Sequence, residues 1–358
     1  MGVPGPRLTR ADRYPRHTGP GLSDLSAGRG GRPTIPNGKQ EQMTNDGPVF
    51  VVGSARSGTT MLRLMLNQHS RLAVPPESWF LTDLMDRFPF DRPLTGPEIE
   101  AAISFLVGHW RWQEWGVTEE GLRARLGAGQ SLDLARLVEA VFRLVCGETV
   151  RWGDKTPGYL VEIERLSVLF PTAQFIHIIR DARDVAVSLA KTGWKGDTIW
   201  GIGRYWNEDV GWGCREGRRL SSTRYLEVGY STLVLEPEAT LRGLCEFLGE
   251  SFEPPMLTFY ERSDQFVPER EWGFHSKTMR APRADDLDRW RNELPTRSVV
   301  LLEAAAGRTM RTVGQRLRYP AAAAALRPIM MGMMWLAERS LPWRRKLGLH
   351  FPTLRKEL

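Results

Sequence analysis

The stretch "VFVVGSARSGTTMLRLMLNQHS", residues 49–70, has the residue types of an anion site. An apolar run of strand type ends in Gly53, and from Thr59 the chain reads as a helix with Met61, Leu62, Met65 and Leu66 on one face. A glycine-bounded turn between strand and helix points several backbone N–H groups at one spot, where the helix dipole also favours negative charge. The frame from Gly53 to Thr60 nearly matches the triphosphate loop G-x-x-x-x-G-K-[ST], but Thr59 stands where that loop has lysine. Losing the lysine removes the reach to a γ-phosphate and keeps hydroxyl donors for a shorter anion. Arg56, inside the loop, adds a permanently charged, bidentate contact.

A second constellation lies in "FIHIIRDARDVAVSL", residues 175–189. A buried strand ending at Arg180 would set its guanidinium at the carboxyl edge of a sheet, where ligands of parallel α/β folds bind. Ser188 follows about two helical turns later. The rival reading is a magnesium site with Asp181 closing the strand, and Arg180 directly beside it argues against a dication. A guanidinium and a hydroxyl on one point suit a second, separate phosphate. Two anion sites on one sheet edge describe a nucleotide phosphorylated at both its 5′ and 3′ ends.

On these motifs the chain resembles the sulfotransferases that use 3′-phosphoadenosine 5′-phosphosulfate (PAPS). Its pattern is similar to the tyrosylprotein branch and its bacterial relatives, with Ala55 where "PRSGTT" loops have proline. The resemblance runs over roughly residues 48–295. It implies that Arg56, Ser57, Gly58, Thr59 and Thr60 hold the 5′-phosphosulfate, and that Arg180 and Ser188 hold the 3′-phosphate. It implies a cofactor contact for Tyr230, which as a bare residue is equally a core tyrosine at a strand end. "HSKTMRAPRADDLDRW", residues 275–290, resembles the late loop over the adenine and 3′-phosphate, with Ser276, Lys277 and Arg289 as its candidates. A basic surface loop is the plainer reading of that segment.

Two catalytic roles follow from the same resemblance. Glu77 in "AVPPESWFL" stands 21 positions beyond Arg56, as does the base of the tyrosylprotein branch, and Pro75-Pro76 holds its approach extended. Lys155 in "WGDKTP" corresponds to the lysine that offsets charge on the sulfuryl and bridging oxygens. A solvated Glu77 and a surface ion pair between Lys155 and Asp154 are the plain alternatives. The expectation is sulfuryl transfer from PAPS to a hydroxyl-bearing acceptor, with Glu77 as base and Lys155 and Arg56 taking up developing charge. The six histidines form no H-E-x-x-H pair, so no metal is expected, and no nucleic-acid partner. Two other readings stay open here: a P-loop kinase or other phosphotransferase, and a non-catalytic nucleotide-binding protein of the same fold.

The elements that must position these residues alternate strand and helix. Strand-type segments occur at 48–53, 71–74, 174–180 and 222–230, with a strand-to-loop transition at 149–157 and helical stretches near 97–146 and 237–248. That order predicts an α/β fold, a P-loop-type central parallel sheet flanked by helices in a single domain. The domain is expected over 47–318, after a disordered leader (1–46) rich in Gly, Pro, Ser and Arg. Residues 319–358 form an amphipathic, basic extension. From Pro320 it reads as a helix packed on the domain, with membrane-surface contact through 321–350 as the alternative.

Bulk composition is ordinary: 25% charged, 41% hydrophobic, and a formal net charge of +7 that suits either solubility or an anionic ligand. Three cysteines without a C-x-x-C pair, and no apolar signal region, point to the cytoplasm. Trp110, Trp112, Trp115, Trp194, Trp200, Trp206 and Trp212 fit an acceptor pocket or core packing equally well.

Overall fold

The computed structural model describes residues 47–127, 131–190, 198–265 and 280–346, with 263–265 and 334–346 in backbone only. The expected leader, Ser276, Lys277 and the end of the basic extension lie outside the described residues. Strands β1 (Val49–Val52), β2 (Leu72–Ala73), β3 (Arg151–Asp154), β4 (Gln174–Ile179) and β5 (Tyr225–Gly229) form one parallel sheet in the order β2-β3-β1-β4-β5. The predicted fold class is the observed one. Register sets Phe50 opposite Asp154 on one side of β1, and Val51 and Val52 opposite Ile176 and His177 on the other.

Alternation along the strands divides the core into two layers. Phe50, Val52 and Phe175 face one way, with Trp152 stacked on Phe142 at 4.2 Å between ring centres. Phe142 belongs to a helix, Leu134–Cys146, which starts where Asp133 accepts the Arg136 N–H at 2.8 Å. Val49, Val51, Ile176, Ile178 and Val228 face the other way, against helix α1 (Thr59–Leu66) and the helix Pro237–Leu248. Burial on both faces explains why the strands read as continuous apolar runs.

Between α1 and β4 lie α2 (Phe80–Arg87), α3 (Gly96–Gly108), α4 (Trp110–Glu114), α5 (Glu119–Leu126), α6 (Leu134–Cys146) and α7 (Ile163–Leu169). Beyond β4 a third cluster joins α8 (Ala182–Ala190), α9 (Ile199–Gly217) and α13 (Thr296–Thr312), with α10 (Tyr230–Leu235), α11 (Pro237–Leu248) and α12 (Trp290–Glu293) between α9 and α13. Sequence reading missed α9, because five glycines in 19 residues depress its helical propensity. Those glycines serve close approach. A Cβ at Gly203 would sit 2.9 Å from the Ala305 Cβ, and one at Gly213 would strike Leu160. Burial of α9 against α13 and the sheet outweighs the propensity cost. Near its end, Cys214, His177 and Glu227 meet within 4.8 Å. Arg218 grips both Glu227 oxygens, at 2.7 and 2.8 Å, and His177 Nδ1 bonds the Tyr225 hydroxyl at 2.7 Å. Burial pushes His177 down to about 4, so it is neutral and the cluster works as a polar tie between sheet and helix.

Helix α14 (Pro320–Lys346) begins where the sequence changes character. The buried Glu303 carboxylate accepts the N–H groups of Arg318 and Tyr319, each at 2.8 Å, which fixes its start. Ala323, with Leu326 and Met330 at the margin, packs on Trp200, Ala304 and Ala305, so this first part is a packed helix. Ile329, Met331 and Met333 are exposed. Among the described residues no helix is long and apolar enough to cross a membrane.

Candidate active site

Every strand of the sheet delivers a candidate residue just past its carboxyl end, the edge where parallel sheets bind ligands. β1 leads to the loop 53–58, β2 to Glu77, β3 to Lys155, β4 to Arg180 and β5 to Tyr230. The central position of β1, between β3 and β4, is the switch point of the topology.

The loop after β1 is tightly determined. Arg56 has φ 68° and Gly58 φ 104°, both left-handed, and the Ser57 N–H closes the turn on the Ser54 carbonyl at 3.1 Å. Left-handed backbone at a non-glycine residue costs about 1–3 kcal/mol and persists only where its surroundings over-determine it. Gly58 is required twice over, because a Cβ there would lie 2.5 Å from the Tyr230 ring. Gly58 gives α1 no side-chain cap, which leaves its first-turn N–H groups for a ligand. The Tyr205 hydroxyl, on α9, accepts the Ala55 N–H at 3.4 Å and braces the loop from outside. Ser57 Oγ is buried without a hydrogen-bond partner. A buried hydroxyl in that state suits an incoming acceptor oxygen.

Arg180 is buried, its guanidinium 4.3 Å from the centre of the Tyr230 ring. It donates to the carbonyls of Arg56 (3.4 Å) and Asp286 (3.0 Å), while its Nε has no partner. Arg56 Nε donates to Ser188 Oγ at 3.1 Å. The two phosphate sites expected from the sequence are therefore contiguous. Burial, together with the charge of Arg180, lowers the pKa of Arg56, as expected of two guanidiniums that an anion would relieve. Asp181, the rival magnesium ligand, is gripped by Arg183 at 2.7 and 2.9 Å.

A second group lies at the ends of β2 and β3. Lys155 Nζ donates to Glu77 Oε1 at 2.5 Å and to Thr60 Oγ1 at 3.3 Å, so it joins the carboxylate to the anion loop. Glu77 Oε2 accepts the Trp79 indole N–H at 2.7 Å and has Arg111 at 3.8 Å. Burial by itself would raise the Glu77 pKa; Lys155, then Arg111 and Trp79, hold it below the usual carboxylate value. Asp154 does not pair with Lys155 at the surface. It is buried, accepts the Thr156 hydroxyl at 2.7 Å, and burial pushes its pKa up to about 7, with the nearby Glu77 charge adding to the rise. Thr156 Oγ1 in turn accepts the Ser78 N–H at 3.1 Å, which ties the Glu77 segment to the Lys155 segment.

The chain matches the model of the sulfotransferase family over residues 48–254, more than half its length. It belongs to that family. Among curated proteins it is similar to the protein-tyrosine sulfotransferase of Drosophila melanogaster, 26% identical over 225 residues, which cover 58% of this chain and 39% of that protein. It is likewise similar to protein-tyrosine sulfotransferase 2 of Gallus gallus, 27% identical over 217 residues, 58% of this chain and 53% of that one. The matches thus span roughly half or less of these relatives' own lengths. Among solved structures, the sulfotransferase domain from the curacin biosynthetic pathway superimposes with a TM-score of 0.52 at 20% identity, over 76% of this chain and 98% of that one. That likeness concerns the fold.

In this sulfotransferase-family chain the structure brings together Arg56, Ser188, Arg180 and Tyr230 as one group, and Thr60, Lys155 and Glu77 as another. The loop 53–60 joins the two. Arg289 pairs with Glu293 at 2.5 Å, one turn along its own helix. Two neighbours of Glu77 escaped sequence reading. Trp79 lies only two positions on, and nothing in its type announced a polar contact. Arg111 sits in "GHWRWQEWG", where a lone cation among tryptophans carries no spacing signal. Of those tryptophans, Trp112, Trp200 and Trp206 are core, while Trp110 and Trp212 are exposed.

Proposed function

We propose that this protein transfers a sulfuryl group from PAPS to a hydroxyl-bearing acceptor. The observation that carries the reading is Lys155, bonded at once to Glu77 and to Thr60 of the anion loop. A base and an anion site joined by one cation suit a proton leaving an acceptor while charge builds on a neighbouring leaving group. Glu77 takes the acceptor O–H proton, the acceptor oxygen bonds to sulfur, and the bridging S–O bond breaks. The electron pair of that bond goes to adenosine 3′,5′-bisphosphate, held by Arg56, Ser57, Gly58, Thr59 and Thr60. Arg180, Ser188 and Tyr230 hold its 3′-phosphate end, with Ser276, Lys277 and Arg289 as further contacts.

Lys155 has two tasks in this scheme. Paired with Glu77 it weakens the base, and turned toward the sulfuryl oxygens it frees the base and stabilises the leaving charge. PAPS entry therefore activates Glu77 by competing for its partner.

Thermal unfolding with adenosine 3′,5′-bisphosphate against ATP tests the proposal. A ligand at 100 times its Kd stabilises by about 2.7 kcal/mol. The bisphosphate is expected to do so and ATP to do little; the reverse result would mean a kinase. Transfer of labelled sulfate from PAPS to 4-nitrophenol in EDTA then separates an enzyme from a nucleotide-binding protein of the same fold.

A further inference from the structure

We infer that Trp79 is the positioning residue of the base: its indole N–H holds the Glu77 carboxylate in place while Lys155 turns to the sulfuryl group. The inference rests on Glu77 being the base. Trp79 has φ 63°, a left-handed conformation that a bulky residue avoids. Its neighbours enforce it. On one side the Ser78 N–H is bonded to Thr156 Oγ1 at 3.1 Å, and the Ser78 hydroxyl to the Tyr159 hydroxyl at 2.8 Å. On the other, the Leu81 N–H bonds the same Tyr159 hydroxyl at 2.9 Å. Between these anchors the chain must reverse, and the reversal returns the indole toward Glu77, two residues back. Gly158 leaves room for the ring, since a Cβ there would lie 3.2 Å from Trp79 Cζ3. The result is an N–H to Oε2 bond of 2.7 Å.

The division of the carboxylate gives the reason. Oε1 belongs to Lys155 and Oε2 to Trp79, with Arg111 farther off at 3.8 Å. A Lys155 that turns toward the sulfuryl oxygens directs to them N–H donors that now serve Glu77 Oε1 and Thr60 Oγ1. When it leaves, orientation must come from the other oxygen. A neutral donor fixes the plane without adding a cation that would lower basicity further. Arg111 is aimed mainly at Glu114, 2.6 Å away, and so is the weaker candidate for this task.

The test is the titration of Glu77 in the full-length protein, followed through ¹³C-labelled glutamate carboxyls and assigned with Glu77→Gln. The titratable groups facing Glu77 are Lys155, Arg111 and the buried Asp154, which keeps its proton in the range where Glu77 titrates. All remain in Trp79→Phe, which keeps an aromatic ring and loses the N–H. A hydrogen bond to the ionised form favours it, so its loss should raise the midpoint by about one pH unit, a tenfold change in proton affinity. Mere loosening would weaken the Lys155 pair and raise the midpoint too, so the discriminating readout is the Trp79 indole N–H resonance of the unmutated protein, which should track the Glu77 titration. With PAPS and 4-nitrophenol, kcat should fall roughly 10- to 100-fold at little change in KM for PAPS, and Trp79→His, which restores a ring N–H, should recover part of it. An unmoved or lowered midpoint would overturn the inference. Should Trp79→Phe fail to fold, that resonance still gives the answer, and a resonance indifferent to pH refutes the bond. Absence of sulfuryl transfer by the parent would count against the proposed function, whereas the titration, which needs no acceptor, tests the Trp79 bond to Glu77 by itself.

Discussion

Arg56 Nε and Ser188 Oγ are hydrogen-bonded at 3.1 Å although 132 residues separate them. The bond fastens the loop after β1 to the helix after β4. With Arg180 donating to the Arg56 carbonyl, the end of β4 is tied to the same loop.

Coupling of that kind makes Arg180 a shared support. Arg180→Ala should weaken adenosine 3′,5′-bisphosphate about 10- to 100-fold, the worth of a charge-assisted contact. Arg180→Lys should recover little, since a single ammonium cannot reach two carbonyls and a phosphate together. Isothermal titration of the three proteins measures it.

Glu77 and Lys155 should separate in their pH profiles. Glu77→Gln should lower kcat by ~10²–10⁴ and abolish the acidic limb. Lys155→Ala should also slow the reaction, by about 10²–10³. Its acidic limb should persist and move upward, because Lys155 is the chief influence holding the Glu77 pKa down. Rate profiles in PAPS and 4-nitrophenol between pH 4 and 9 would show both effects.

Asp154 should make the fold more stable in acid than in base over one window. Its folded value, about 7, lies above its ordinary 3.8, so the folded chain binds the extra proton between them. Stability from this group is therefore full near pH 4 and is lost as pH rises through about 7. Asp154→Asn keeps an acceptor for Thr156 and should flatten the slope of Tm against pH across that range. An unchanged slope would mean that Asp154 is ionised in the folded protein.

Gly58→Ala should damage the anion loop. The added methyl meets the Tyr230 ring at 2.5 Å and must also adopt φ 104°. A loss of about 1–3 kcal/mol in stability is expected, with weaker bisphosphate binding, readable in one set of melts with and without ligand.

The sequence by itself determined what local pattern can determine. The loop 53–60, and the strand ends at Lys155, Arg180 and Tyr230, were legible because strand period, glycine turn and helix start are written within a few consecutive residues. The parallel sheet followed from their alternation. Tertiary structure decided the rest. Helix α9 contradicts its own propensity and exists through burial against α13 and the sheet. Asp154 gave no local sign that it would be buried and bonded to Thr156 instead of paired with Lys155. Trp79 and Arg111 became partners of Glu77 only when the end of β2 was laid beside that of β3. Arg56 and Ser188 met by the same means. Contacts of this range depend on which strand lies next to which, and side-chain burial then fixes their strength; neither quantity is encoded in a short stretch of chain.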